Sequence, residues 1–342
     1  MGTPCLARHH VPSGCFLPDP PCLLATVVIK GALDASRLDR LRAATERAVK
    51  AITDLDPHRF GNSAHHHRYS FGRASKSGYE HDPDWAVMVD PPAVNAVLTE
   101  LWGADYKCNG LGGDVSLPGA IGKQGLHSDI SKAFKYEVID TPEARALRPR
   151  HYGANNANLC HGRGRLFAKA VPYSSAETLG VEYLPKHDFS LNRHGPCGYL
   201  NVDYTTTDWT ADIGATQVIR GSHLWPLPAP KLEEEDRAMR HSTLAGTPAG
   251  CAIIRDLRLF HAGTPNVSLD SVRVKPAASF VAPWWSSQPD ARPMTQRVYR
   301  TLSPHGKRIS SLIIGEEEDY DAEFYGAASF HGPHKPWFRH RL

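Results

Sequence analysis

A histidine and an aspartate stand two residues apart in the stretch GLHSDI, at His127 and Asp129, just after a glycine-dense run. Residues i and i+2 of a β-strand point to the same face, so this pair can aim one imidazole and one carboxylate at a common point. Such a pair supplies two thirds of a metal site with nitrogen and oxygen ligands. The same tripeptide is equally typical of a polar strand end, so its context must decide.

Two later histidines could complete a metal site. His261 ends the apolar segment GCAIIRDLRLFHAG, and His223 lies in RGSHLW. After His261 a GTPN turn leads to a second strand-like segment that carries Arg273, so we expect His261 and Arg273 to be neighbours in a β-hairpin. No arginine is placed similarly after His223. This difference favours His261 as the third ligand.

The chemistry of this set follows from its residue types. Two histidines and one carboxylate can bind iron(II) on one side and leave three coordination positions open for a co-substrate and oxygen. The planar fork of an arginine can bind both oxygens of a carboxylate. A dicarboxylic 2-oxo acid that chelates the metal at one end, and is held by Arg273 at the other, therefore fits the pattern.

The elements that must position these residues can be read from hydrophobic periodicity. Segment 23–31 is apolar and β-branched, which predicts a strand. Asp34 then predicts the N-cap of an amphipathic helix over 36–53, and a second helix is predicted over 91–103. Beyond Gly103, short apolar runs alternate with turn residues, and the predicted strands fall at 197–204, 214–223, 250–263 and 271–283.

This order of elements predicts a mainly β fold with flanking helices, a β-sandwich or barrel with helices packed outside it. We expect a single domain: an extended lead-in over 1–22, an N-terminal strand and helices over 23–105, a β core over 106–285, and a C-terminal segment over 286–342. Segment 130–196 is polar and irregular, which indicates an insertion or a lid beside a site.

The composition excludes several classes of protein. The chain has 342 residues, 41% hydrophobic and 22% charged, with a formal net charge of only +3, so we expect neither a disordered protein nor a nucleic-acid partner. Its seven scattered cysteines form no C-x-x-C pair, which favours a reducing compartment. The sequence has no membrane-length apolar run and no secretion signal, so a cytoplasmic location is expected ahead of a peroxisomal one. The oligomeric state stays open, a homodimer included.

Several blocks in the same order give the chain a resemblance to the phytanoyl-CoA dioxygenase family of iron(II)/2-oxoglutarate-dependent oxygenases. They are QGLHSD (124–129), NVDYTTTDWTADIGATQVIRGSHLWP (201–226), HAGTPN (261–266) and Arg273. The resemblance covers most of residues 25–285. It implies a double-stranded β-helix core, the jelly roll of the cupins. It also implies iron(II) and 2-oxoglutarate as cofactors, with oxygen as co-substrate and a small molecule as substrate.

Residue roles follow from the resemblance by position. His127, Asp129 and His261 would be the iron ligands, and Arg273 would bind the distal carboxylate of 2-oxoglutarate. Thr264 and Gln124 match positions that help to hold the co-substrate. The Gly-Ser-His segment of His223 marks a turn in this family and binds no metal.

The family's chemistry couples oxidative decarboxylation of 2-oxoglutarate to oxidation of a substrate C–H bond. Related halogenases replace the ligand carboxylate with a small residue, so Asp129 implies hydroxylation, desaturation or oxidative ring closure. Fungal natural-product members oxidise amino acids, including closure to an aziridine. The tail FHGPHKPWFRHRL (330–342) combines aromatic and basic residues that could close over a carboxylate substrate. Candidate substrate contacts are Phe338, His340, Tyr204 and Trp209. Core packing or a surface position explains Tyr204 and Trp209 at least as well, and a loose basic tail would explain Phe338 and His340.

Two other functions use the same residues. A zinc hydrolase could bind its ion through His127, Asp129 and His261, but it would need a general base and would leave Arg273 without a role. A non-catalytic relative could keep the barrel as a ligand-binding module. The complete set of three ligands argues against the second alternative.

Overall fold

The computed structural model describes residues 25–61, 66–72, 81–129, 134–138, 168–172, 198–224, 229–283 and 294–319. The expected lead-in over 1–22, most of the insertion over 130–196, and the C-terminal residues Phe338 and His340 lie outside the described residues. No described helix is long and apolar enough to cross a membrane.

Strands and helices fall largely where the periodicity predicts them. The strand β1 (Thr26–Ile29) is followed by α1 (Ala35–Leu55), whose N-cap Asp34 accepts a hydrogen bond from the backbone N–H of Arg37. The predicted strand over 250–263 is instead two short strands, separated by a turn after Asp256. In chain order, the elements of the part that the structure describes are β1 (Thr26–Ile29), α1 (Ala35–Leu55), β2 (Arg68–Gly72), a 3-10 turn (Ala86–Met88), α2 (Pro92–Trp102), β3 (Lys107–Ser116), β4 (Phe134–Val138), β5 (Ala168–Pro172), β6 (Tyr199–Tyr204), β7 (Gln217–Val218), 3-10 turns (Ser222–Leu224 and Leu232–Glu234), α3 (Arg237–His241), β8 (Ala252–Asp256), β9 (His261–Ala262), β10 (Arg273–Val281), α4 (Gln296–Thr301), α5 (Pro304–Ile309) and a last 3-10 turn (Ser310–Leu312).

A six-stranded antiparallel sheet in the order β1-β8-β6-β10-β3-β2 organises the molecule. Alternate residues point to opposite faces of this sheet. The outer face is apolar and packs against α1, α2, α4 and α5 in one buried cluster. Each fully buried Val, Leu, Ile or Phe side chain stabilises such a cluster by about 1.5–3 kcal/mol. The outer-face residues in the cluster include Tyr69, Val115, Leu200, Val202, Tyr204, Ile254, Val274 and Phe280.

The inner face of the same sheet carries polar side chains that are nevertheless buried. Arg68, Ser116 and Arg273 form one row across β2, β3 and β10. Further along, Asn201 lies opposite Arg255, and both residues are buried. Since a buried charge is costly unless it has a partner, this face indicates a functional interior.

A small sheet faces this interior. It pairs β7 with β9, and an antiparallel bridge joins His127 to His261 on its other side. The architecture is therefore mainly β with flanking helices, as expected for a jelly roll. The expected hairpin between His261 and Arg273 is wrong, because β9 pairs with β7 whereas β10 pairs with β3 and β6. The chain between these two residues crosses from the small sheet to the large one.

Candidate metal centre

Three side chains converge where the small sheet meets the interior. His127 and His261 are bonded to each other through both backbone groups, at 3.1 and 2.9 Å, and the N–H of Asp129 donates to the carbonyl oxygen of Leu257 at 2.9 Å. This pairing brings together residues that are far apart in the sequence. Asp129 Oδ1 lies 3.5 Å from Nε2 of His261 and 3.9 Å from Nε2 of His127.

The ligand atoms of His127, Asp129 and His261 all lie within 4.8 Å of one another, the one group of three or more potential metal ligands found among the described residues. Ligand bonds of about 2.1 Å to a shared ion require only a modest contraction of this set. His223 is buried but is not a member of the group. The donor set therefore fits a metal ion.

The backbone fixes the tautomer of both imidazoles. Nδ1 of His127 lies 3.0 Å from the carbonyl oxygen of Gly125, and Nδ1 of His261 lies 3.0 Å from that of Leu259. A carbonyl can only accept, so Nδ1 of His127 carries the proton and its Nε2 presents its lone pair to the common point. Nδ1 of His261 also lies 3.1 Å from Nη1 of Arg255; when its proton goes to Leu259, Arg255 is a close neighbour and not a hydrogen-bond partner of this nitrogen, and Nε2 of His261 likewise faces the common point. Metal-binding histidines are oriented in this way.

Burial keeps His261 in the form that binds metal. Burial and the charge of Arg255 lower the pKa of His261 to about 4, against the opposing effect of the Asp129 carboxylate. The imidazole is therefore neutral near neutral pH. His127 is more open, with 43% of its side chain exposed, and marks the accessible side of the centre.

A cluster of buried hydrogen-bond donors, called the donor pocket, lies on the inner face of the large sheet beside β10. Arg68 and Arg273 are both 2% exposed, and each is in register with Ser116 on the strand between them. Burial and the charge of Arg273 lower the pKa of Arg68 to about 10, and burial lowers the pKa of Arg273. Within the described part of the chain, Nε of Arg273, Oγ of Ser116 and Nε1 of Trp209 are buried and have no hydrogen-bond partner. These donors fit an anion with several acceptor oxygens.

Arg68 connects this pocket to the metal centre. Its Nη2 donates to the carbonyl oxygens of Thr264 at 2.9 Å and Gly122 at 3.1 Å. A Cβ on Gly263 would lie 1.9 Å from Nη1 of Arg68, so only glycine lets the arginine pass this close to β9. Arg68 thus contacts the chain at Gly263, two residues after His261 in the sequence.

Of the other site residues predicted from the sequence, Gln124, Thr264 and Trp209 lie near the site and Tyr204 does not. Gln124 Oε1 accepts from the N–H of Gly263 at 2.8 Å, and the hydroxyl of Thr264 donates to the carbonyl oxygen of Ala215 at 2.7 Å, so both tie the small sheet together beside the pocket. Trp209 lies beside Arg273, whose Cζ is 5.9 Å from its ring centroid. Tyr204 is not brought to the site: it faces the helices, and its hydroxyl donates to the carbonyl oxygen of Met88.

Three candidate functional residues were not predicted from the sequence: Arg68, Ser116 and Arg255. Arg255 lies on the inner face of β8 and donates to Asp129 Oδ2 at 2.8 Å. No motif marks these residues. The alternation of polar and apolar residues in RYSFG could have indicated an inward arginine at position 68, but not what it would meet, and AIIRD shows no such alternation around Arg255.

Comparison with known families agrees with this geometry. The family model described as Phytanoyl-CoA dioxygenase (PhyH) matches residues 26–274, which include the three convergent side chains and Arg273. The chain belongs to the phytanoyl-CoA dioxygenase family. It is therefore a non-haem iron, 2-oxoglutarate-dependent oxygenase, with iron(II) and 2-oxoglutarate as its cofactors. The zinc hydrolase and the non-catalytic module are set aside on this ground.

Solved structures of similar fold include HygX from Streptomyces hygroscopicus with nickel and 2-oxoglutarate bound, at 14% identity over 76% of this chain and 83% of HygX, with a TM-score of 0.41. The epimerase SnoN from nogalamycin biosynthesis, in complex with Fe3+, alpha ketoglutarate and nogalamycin RO, has 15% identity over 76% and 80% of the two chains, with a TM-score of 0.42. AviO1 from Streptomyces viridochromogenes Tue57 has 14% identity over 76% and 90%, with a TM-score of 0.43. No curated protein matches the chain. At these identities the substrates of the three proteins say nothing about the substrate of this member of the family.

Proposed function

We propose that His127, Asp129 and His261 hold the iron(II) of this oxygenase. The observation that carries the proposal is the convergence of two Nε2 atoms and one carboxylate oxygen, with both Nδ1 atoms turned to backbone carbonyls. Three protein ligands from one side leave three positions for 2-oxoglutarate and oxygen. His261 supplies the buried side of the site and His127 the side open to substrate.

Arg273 is the residue that binds the distal carboxylate of 2-oxoglutarate, and Arg68 and Ser116 assist it. Two buried cations in one row repel each other, and a carboxylate between them relieves that repulsion. The support is chemical: Nε of Arg273, Nε1 of Trp209 and Oγ of Ser116 can all donate to carboxylate oxygens. Gln124 and Thr264 act indirectly, by fixing the backbone of the small sheet around the co-substrate.

When bound, iron and 2-oxoglutarate supply the oxidising chemistry with oxygen. The chain's own residues orient the ligands and exclude water, and Asp129 occupies a position that a halide would need. The reaction we propose is therefore oxidation of a C–H bond by hydroxylation, desaturation or oxidative cyclisation.

The proposed substrate is a small molecule with a carboxylate, such as an amino acid of secondary metabolism, with ring closure to an aziridine among the outcomes. The support is the basic and aromatic sequence of 330–342. Cytoplasmic action is proposed as well, in line with Cys108 and Cys251, which form no disulfide within the described part of the chain.

The test has two steps. Anaerobic protein mixed with iron(II) and 2-oxoglutarate should give the weak visible band of the chelate, and its absence would contradict the proposed site. The loaded protein is then supplied with oxygen and a panel of amino acids, and succinate formation is measured for each. Matched amines without the carboxylate serve as controls, and turnover of the amines alone would contradict the substrate class.

A further inference from the structure

Arg255 contacts the candidate metal centre from inside the barrel. It belongs to β8, it is 1% exposed, and it lies opposite Asn201 on the inner face of the large sheet. Its Nη2 donates to Asp129 Oδ2 at 2.8 Å, and its Nη1 is 3.1 Å from Nδ1 of His261. One guanidinium group thus touches two of the three proposed ligands.

We propose that Arg255 is a positioning residue: it binds Oδ2 of Asp129 and so keeps this aspartate a monodentate ligand. The inference rests on the proposed ligand set. The two carboxylate oxygens of Asp129 have different surroundings: Oδ2 accepts from Arg255, while Oδ1 is the oxygen that lies 3.5 and 3.9 Å from the two histidine Nε2 atoms. Only Oδ1 is directed to the common point.

The consequence concerns the number of open positions. An octahedral ion with three single-atom protein ligands has three positions left, which 2-oxoglutarate and oxygen require in full. If Asp129 bound through both oxygens, one of these positions would be filled. By holding Oδ2, Arg255 keeps that position available.

The side chain of Arg255 is also held by Asp203 on the neighbouring strand β6. Its Nε lies 3.8 Å from Oδ2 of Asp203, and the other oxygen of that carboxylate, Oδ1, accepts from Asn201 at 2.5 Å and lies 3.6 Å from Nζ of Lys275. These contacts oppose rotation of the guanidinium group. Its charge alone would not favour a cation nearby, so the favourable contribution of Arg255 to the site must be geometric.

The experiment counts water ligands on Mn(II) bound to the 2-oxoglutarate-free protein. The parent should carry three inner-sphere waters, measured by proton relaxation per bound ion, and R255M should carry two, which lowers the inner-sphere relaxivity by about one third. R258M is the matched control, because Arg258 is a buried arginine of the same segment that pairs with Asp256. It should keep the parent value.

Each outcome is decisive. If R255M binds Mn(II) with three waters, the positioning role is overturned. A rise in Mn(II) affinity together with this unchanged water count would show that Arg255 acts only through its charge. If R255M does not fold, the double variant R255M/D203N removes both buried charges and is measured instead. The ligand set is tested separately: if H261A binds Mn(II) as the parent does, the proposed iron site fails.

Discussion

Arg68 and Arg273 lie on either side of Ser116, in register with it on the two strands that flank β3, and both side chains are buried. Two like charges held this way in the interior repel each other. A bound dianion would relieve this repulsion, which is why we assign the co-substrate to this part of the inner face.

Loss of Arg273 should weaken 2-oxoglutarate binding severely. Truncating one partner of a buried charge pair costs about 2–5 kcal/mol, which corresponds to about 30- to 5,000-fold in Kd. We expect R273M to show this loss in an anaerobic titration of the chelate band, and R68M to show a smaller one. R40M, which removes an arginine that pairs with Asp84 at the surface, is the control and should bind like the parent. Parent affinity in R273M would refute the assignment.

The arginine pair should bind a dicarboxylate even without metal. Glutarate lacks the 2-oxo group needed to chelate iron, yet it carries the distal carboxylate. We expect glutarate to raise the Tm of the metal-free protein in a concentration-dependent way, because a ligand that binds only the native state stabilises it. The shift should vanish in R273M. An equal shift in both proteins would place the binding elsewhere.

Substitution of the two candidate histidines should affect the visible chelate band differently. H261A should abolish the visible chelate band, since it removes the buried nitrogen ligand, whereas H223A should retain the band. Both variants are compared after circular dichroism has confirmed that they fold, because both side chains are buried. Loss of the band in H223A with retention in H261A would reverse the ligand assignment.

A methyl group at position 263 should disturb the co-substrate pocket. The Cβ of G263A would lie 1.9 Å from Arg68 Nη1 and 2.7 Å from Gln124 Oε1, so the arginine must move. We expect weaker 2-oxoglutarate binding, by about tenfold or more, which corresponds to about 1.4 kcal/mol. G125A is the matched control, because a Cβ there meets no atom within 4 Å. Equal affinities in the two variants would show that Arg68 tolerates the displacement.

Tyr204 should contribute to stability and not to turnover. Its hydroxyl donates to the carbonyl oxygen of Met88 among buried side chains, so Y204F leaves a buried acceptor unpaired, at a cost of about 1–3 kcal/mol. A lower urea midpoint with an unchanged m-value and unchanged 2-oxoglutarate affinity is the expected result. A selective loss of substrate oxidation at unchanged stability would restore the role as a substrate contact.

The helices α1 and α2 and six of the ten described strands were predictable because each is encoded locally, whereas β2, β3, α4 and α5 were not predicted. The apolar repeats of α1 and its cap at Asp34 lie within one segment, and in β10 the polar residues Arg273, Lys275 and Ser279 alternate with apolar ones. The convergence of His127, Asp129 and His261 was also accessible, since H-x-D and the later HAGTPN are short motifs that a family resemblance can order. The hairpin between His261 and Arg273 was wrong because a turn signal does not say which strand the chain pairs with next.

The sequence by itself determined the kind of protein: a β fold with outer helices, and a family resemblance that implies iron and 2-oxoglutarate and singles out three proposed ligands and an arginine. Only the tertiary structure decided which other side chains contact the proposed ligands and Arg273. Arg68, Ser116 and Arg273 meet because β2, β3 and β10 are adjacent in register, and Arg255 reaches Asp129 because β8 points it inward. Strand pairing over such sequence separations depends on the packing of the whole sheet, and no local pattern records it.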